Sequence, residues 1–389
     1  MLLRSAAFLL ICLLAPLGSG LEAQEDLNEA RSTQLYTAQA EKDVEGALRW
    51  LAAHQNADGS WSAHIGFKIN DGYRREPRNQ PEEGLHHLGV TALAGMAFLS
   101  GGHLPGQGPY GDVVSRALDF LLDKVTDVGF ITYKKSRMYS HAFSLLFLAE
   151  LYGMTGRSDL REKLDLAVEF TYKCQNKNGG WRYAPLAHDS DMSITVCQVV
   201  ALREARNIGI KVPRATIDNA LRYVMESADS HPNHRGAFLY QRQEALYNRN
   251  SFALTAAGLT TIYQAGLYTD RQVRDWCRAN GMRRYPRISD CLRYLRQAYQ
   301  SIWLDYRDHY FYFYGNYYAA QAMYTRGGRE WVEWYSMVRD DLVKMAKRQP
   351  SREGSRTYWN SRWVGDAFST SVAAIILQIP KNYLPIFQR

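Results

Sequence analysis

The chain has 389 residues and a mass of 44.5 kDa, with 46% hydrophobic and 22% charged residues. Those fractions are ordinary for a globular protein and exclude a disordered or fibrous chain. The net charge of +8 is moderate and no contiguous run of Lys and Arg carries it, so a nucleic-acid partner is not expected.

The chain opens on Met1-Leu-Leu-Arg4, continues through an apolar run from Ala6 to Leu14, and reaches small residues at Pro16-Leu-Gly-Ser-Gly20. This order predicts a secretory signal peptide over residues 1–23 and export to the periplasm or the extracellular space. An uncleaved anchor is the alternative, although the apolar run is too short to span a bilayer. No later segment reads as a transmembrane span. A polar lead-in is expected over 24–40, and residues 41–389 are expected to form a single domain.

From Asp43 onward apolar residues recur at helical spacing, and period-two alternation is almost absent. Turns rich in glycine and aromatic residues punctuate the pattern at 55–61, 127–130, 175–181, 236–238 and 353–359. Gly59, Gly129, Gly179 and Gly236 stand about 50–70 residues apart, within the range of a two-helix repeat. The interval to Gly354 is about twice as long, which places a turn without glycine near 303–306. The helices before the turns (43–54, 112–124, 160–173, 215–227, 289–300, 331–347) carry many charges on one face. Those after the turns (88–99, 140–152, 193–205, 252–265, 312–324, 368–379) are apolar nearly all round. Striped helices belong outside and fully apolar ones inside. Gly101, Gly153, Gly209, Gly266 and Gly327 are expected to cap the inner helices. The last inner helix is as apolar as the others and has no polar cap, so the array is expected to close. The predicted fold is all-α, an (α/α)6 toroid of six helical hairpins.

Cleavage of the leader removes Cys12 and leaves Cys174, Cys197, Cys277 and Cys291. In an oxidising compartment three pairings are open. Cys277 and Cys291, on either side of a polar segment, are the expected pair; Cys174 and Cys197 read as buried thiols. The charge run at 283–287 reads as a solvated loop.

Two turns, through Gln55, Gly59, Trp61 and through Gln175, Gly179, Trp181, spell Gln-x-x-x-Gly-x-Trp. With the six-pair rhythm, this resembles the repeat of the prenyltransferase and squalene-cyclase superfamily. The chain looks most like exported squalene-cyclase-like repeat proteins, from about residue 43 to the C-terminus. The resemblance implies an α/α toroid, in which the glutamine ties down a helix end and the tryptophan stacks on the neighbouring repeat.

Each inner helix starts just after a turn, so all six N-termini are expected at one mouth of the ring. His86, His87, Tyr139, His141, Asp189, Asp191, Asn250, Tyr314 and Asp366 fall there and form the candidate site. Class II terpene cyclases protonate an alkene with the middle acid of an Asp-x-Asp-Asp motif. Residues 189–192 here read Asp-Ser-Asp-Met, so the resemblance implies Asp191 as the acid and Asp189 as its helper, with Met192 replacing the third acid. An N-cap or a polar ligand contact are the other roles open to Asp191, because a helix N-terminus favours the charged carboxylate. His87 and His141 are lone imidazoles on apolar helices, readable as structural groups or as ligand contacts. Protein prenyltransferases of the same superfamily hold zinc with His, Asp and Cys, but no such set is spaced here; no metal or other cofactor is expected.

The aromatic stretch 306–324 predicts a cavity walled by rings, with helix–helix packing as the other reading. There is no Gly-x-Ser-x-Gly elbow, phosphate-cradling loop or His-Glu-x-x-His motif. The expected function is binding of an apolar, isoprenoid-like small molecule in an aromatic-lined central cavity, with cyclase-type acid chemistry at Asp191 if the protein is an enzyme. The alternative is a non-catalytic toroidal scaffold that holds a protein or an envelope glycan at the ring mouth.

Overall fold

The computed structural model describes residues 35–64, 84–134, 136–242, 251–361, 363–384 and 386. The expected leader and most of the lead-in lie outside the described residues. Helix α1 (Ala38–Ala53) is followed by a two-stranded ribbon, β1 (Ser62–Ala63) and β2 (Leu85–His86), and then by α2 (Leu88–Leu99). Next come α3 (Gly111–Asp123) and α4 (Met138–Thr155), α5 (Asp159–Lys173) and α6 (Met192–Asn207), and α7 (Arg214–Glu226) and α8 (Ser251–Gln264). The chain continues through α9 (Asp270–Ala279), α10 (Ile288–Tyr306), α11 (Tyr310–Arg326) and α12 (Gly328–Met345). A short hairpin of β3 (Lys347–Gln349) and β4 (Arg356–Tyr358) leads into α13 (Asp366–Gln378).

The apolar helices form the inner ring. Each packs on the next in the order α2, α4, α6, α8, α11, α13, and α13 returns to α2. At the seam, Gln378 Nε2 donates to Ala97 O (3.0 Å) and Ser100 Oγ (2.9 Å), and the His64 N–H donates to Val364 O (2.8 Å). All twelve residues of α2 are buried, which is why no polar stripe appears in its sequence. The striped helices α1, α3, α5, α7, α10 and α12 form the outer ring. The fold is a closed (α/α)6 toroid.

Four details depart from the sequence reading. Helix α9 is an additional outer helix; it buries only Val273 and Cys277, too few apolar positions to show as a stripe. The turn without glycine is the three-residue link 307–309, because α10 runs to Tyr306 through the segment expected to turn. Inner-helix capping uses Gly156 and Gly102, both with positive φ, rather than Gly153 and Gly101, while Gly209, Gly266 and Gly327 adopt positive φ as expected. Cys277 and Cys291 do not pair: they lie buried on different helices, and all four described thiols are free. Burial raises the Cys277 thiol to about 11, so it stays protonated in its apolar setting.

A repeated hydrogen-bond scheme ties each turn to its helices. The glutamine amide bridges its own turn to the first turn of the next outer helix: Gln55 Nε2 donates to Gly59 O (3.0 Å) and Val113 O (2.9 Å). Gln175 Nε2 does the same with Gly179 O (2.7 Å) and Thr216 O (2.8 Å). The tryptophan indole reaches back to the preceding outer helix, from Trp61 to Leu51 O (2.9 Å), Trp181 to Thr171 O (2.8 Å) and Trp359 to Leu342 O (2.8 Å). Gly179 has φ +88°, and a Cβ there would sit 2.3 Å from Asn219 O, so the turn closes on the next outer helix only with glycine.

Candidate functional site

The inner helices run parallel, so their N-termini share one end of the ring. Tyr139 of α4 meets Tyr314 of α11 with ring centroids 6.5 Å apart, and one turn deeper Phe143 meets Tyr317 at 6.2 Å. Helices α4 and α11 stand opposite each other, so these contacts cross the ring axis. Tyr314 Oη donates to Ser193 O (3.1 Å), and Tyr318 Oη lies 3.1 Å from Cys197 Sγ. The aromatic run therefore enters the axis, but Tyr317 and Tyr318 are buried and close it. Above them, Tyr139, Phe143, Tyr314 and Phe368 keep part of their surface exposed while their helical neighbours are buried. Those four partly exposed rings lie towards the N-terminal ends of α4, α11 and α13.

Asp191, close to Tyr139 and Tyr314, is the N-cap of α6 and is fully buried. Its Oδ1 accepts from the Ile194 N–H (2.9 Å) and Ser193 Oγ (2.5 Å), and its Oδ2 lies 3.2 Å from Arg182 Nη1. Burial raises its pKa, against the lowering effect of Ser193, Ile194, Arg182 and Tyr240. The geometry thus supports the capping role. A proton donor must touch its substrate, and this carboxyl is enclosed by its own chain. Asp189 is 59% exposed and pairs with Arg182 Nε at 3.2 Å. Arg182 stacks over the rings of Tyr183 (5.0 Å) and Tyr240 (5.6 Å), whose hydroxyls are 2.5 Å apart. Gln241 Nε2 adds a bond to Asp189 Oδ2 (3.2 Å). Arg182, Tyr183, Tyr240 and Gln241 were missed as site residues; the signal was their place one to three residues after the packed aromatic of a turn, Trp181 or Phe238.

The remaining candidates divide. His141 is buried, with Nδ1 accepting from the Ile131 N–H (3.1 Å) and Nε2 2.8 Å from Thr171 Oγ1. In four of the five other repeats a threonine takes that place: Thr91 accepts from Trp61 N–H, Thr195 from Trp181, Thr255 from Phe238 and Thr370 from Trp359. Both ring nitrogens are thus engaged inside the protein, and burial lowers the His141 pKa to about 3. His87 caps α2 through Nδ1, which accepts from Val90 N–H (3.2 Å), and burial lowers its pKa to about 4. His86 pairs with Asp58 (2.6 Å) at the outer rim. Asp366 accepts from Asn360 Nδ2 (2.9 Å) and the Ser361 N–H (3.2 Å) in the last turn. Asn250 lies outside the described residues. Near the start of α11, His309 packs 5.3 Å from Trp363, which is 40% exposed. Among the described residues no three His, Cys, Asp or Glu side chains come together, and no helix is long and apolar enough to cross a membrane.

No family model and no curated protein matches the sequence. Solved structures do match. The type II terpene cyclase MstE from Scytonema is 13% identical, with a TM-score of 0.54 over 90% of this chain and 98% of the cyclase. That likeness is one of fold, the (α/α)6 toroid. It is shared with the alpha-1,6-mannanase GH76A of Salegentibacter sp. HEL1_6, in complex with alpha-1,6-mannotriose, at 10% identity. That match has a TM-score of 0.55 and covers 87% of this chain and 97% of the mannanase. The GH76 alpha-mannanase of Bacteroides thetaiotaomicron is 14% identical, with a TM-score of 0.54 over 88% of this chain and 96% of that one. The toroid is thus a scaffold used by enzymes that act on glycans and on isoprenoids alike.

Proposed function

We propose that the protein binds a saccharide at the mouth of the toroid without turning it over. The observation that carries this reading is the burial of Tyr317 and Tyr318 on the axis, with the partly exposed rings of Tyr139, Phe143, Tyr314 and Phe368 on its mouth side. From Tyr139 to Phe143 is one turn, about 6 Å at 1.5 Å per residue. An isoprenoid chain needs a long apolar tunnel; a pyranose needs a ring to stack on and polar groups for its hydroxyls. The mouth end supplies the faces of Tyr139, Tyr314 and Phe368, exposed Trp363 against His309, and the polar groups of Asp189, Arg182 and Gln241. Charged and amide groups of this kind orient hydroxyls. The terminal sugars of a glycan are the ligand that suits this mixture of rings and polar groups, in keeping with the glycan complex of the Salegentibacter mannanase.

Cyclase-type acid chemistry at Asp191 has little support, because its carboxyl is enclosed and spends one oxygen on the cap. The aromatic walls would also accept an isoprenoid end, and the test separates the two. Titration of the mature protein with alpha-1,6-mannotriose, followed by tryptophan fluorescence and calorimetry, should give saturable binding. Trp363→Ala and Asp189→Asn should each weaken it by about tenfold, the loss of one stacking or charge-assisted contact. Saturable binding of a prenyl alcohol with none of any oligosaccharide would overturn the proposal.

A further inference from the structure

The positive charge of this chain is concentrated in space although it forms no run in sequence. Residues 271–296 contain eight arginines against two aspartates, most of them on α9, the 280–287 loop and the first half of α10. Two hollows adjoin there on the outer wall. One of about 570 Å³ is lined by Tyr268, Asp270, Arg296, Arg326 and Glu330, and the other of about 410 Å³ by Asn233 and Arg235. Arg293 and Gln297 line both, so the two form one furrow along the exposed face of α10. From Ile288 to Ala298 that face is about 15 Å long at 1.5 Å per residue.

The acids beside the furrow are already matched: Asp270 with Arg287, Asp290 with Arg293, and Glu330 with Arg326. Arg235, Arg278, Arg283, Arg284 and Arg296 are exposed and have no carboxylate partner among the described residues. Unpaired guanidinium groups spaced along a furrow present forked donors that fit carboxylate geometry.

We propose that this furrow is a second, exterior binding site for a linear acidic polysaccharide. Its length suits a few sugar units in extended form, Arg235 and Arg296 meet the carboxylates, and Gln297 and Asn233 meet hydroxyls. A single-stranded nucleic acid is the less fitting polyanion, because it needs open ring faces for its bases. Tyr268 is the exposed ring here, and one of its faces is stacked on Tyr263 (centroids 6.0 Å, interplanar 18°).

Calorimetric titration of the mature protein with polygalacturonate tests this. Binding is expected at low salt, weakening steeply between about 50 and 200 mM NaCl as counterions compete, with no binding of neutral dextran. R235E/R296E, two exposed positions whose change leaves the core intact, should lose about tenfold or more in affinity. Asp189→Asn at the mouth should leave it unchanged. Equal affinity of the double variant and the parent would overturn the proposal, as would tighter binding of oligothymidylate than of polygalacturonate.

Discussion

The two ends of the ring handle buried carboxyl groups differently. At the mouth, Asp191 has a hydrogen-bond or ionic partner for each oxygen, with Arg182 supplying the countercharge. At the opposite end, Glu150 of α4 and Glu204 of α6 are just as inaccessible. Glu150 Oε1 accepts from the Ile386 N–H (3.2 Å) and Glu204 Oε2 from Asn207 Nδ2 (3.1 Å), but Glu150 Oε2 and Glu204 Oε1 have no partner. Burial, reinforced by repulsion from Glu204, pushes the Glu150 pKa well up, and burial raises Glu204 too. Asp191 thus has a partner for each oxygen and a neighbouring guanidinium that offset its burial, while the base tolerates its acids by favouring their protonated form. A pH sensitivity of stability is therefore expected from the base end.

Removing Asp191 should break this contrast most. Asp191→Ala deletes the cap and leaves Arg182 against two tyrosine rings, and should cost about 2–4 kcal/mol in denaturant unfolding. Asp191→Asn keeps an acceptor for Ile194 and should cost less; equal losses would assign the effect to the ion pair alone. Glu150→Gln sharpens the other side. The folded protein holds the Glu150 proton above the pH where the unfolded chain, with its ordinary value of 4.5, releases it. Stability should thus fall as pH rises from about 5, and the Gln variant should flatten that fall while matching the parent at acid pH. Melting curves across pH would show it, and identical slopes would refute it. His141→Thr should change least, within about 1 kcal/mol, because it restores the residue used by four of the other repeats; His141→Val, which strands the Ile131 N–H, should cost about 1–3 kcal/mol more.

Much of the fold was legible because an inner helix with no polar face and an outer helix with a charged one differ residue by residue. Helix α9 escaped because two buried residues make no pattern. The Cys277–Cys291 pairing was inferred from closeness in sequence, which does not place two thiols face to face. For the site, Asp191 was legible as a cap or an acid, and only burial and its partners distinguish them. His141 was ambiguous as an isolated imidazole; as the fourth residue of its helix it stands where Thr91 and Thr195 stand, and Thr255 and Thr370, each the fifth of its helix, make the same bond. The arginines of the outer furrow were overlooked because α9 and α10 gather them across a loop.

The seam between α13 and α2 has a consequence for biosynthesis. Until α13 docks, the flanks of α2 and α11 that it covers are bare apolar surface, so a nascent or truncated chain ending before Asp366 cannot complete any part of the ring at that junction. Such a chain would be sticky, and safe maturation requires either rapid late closure or a holding chaperone that shields those two flanks.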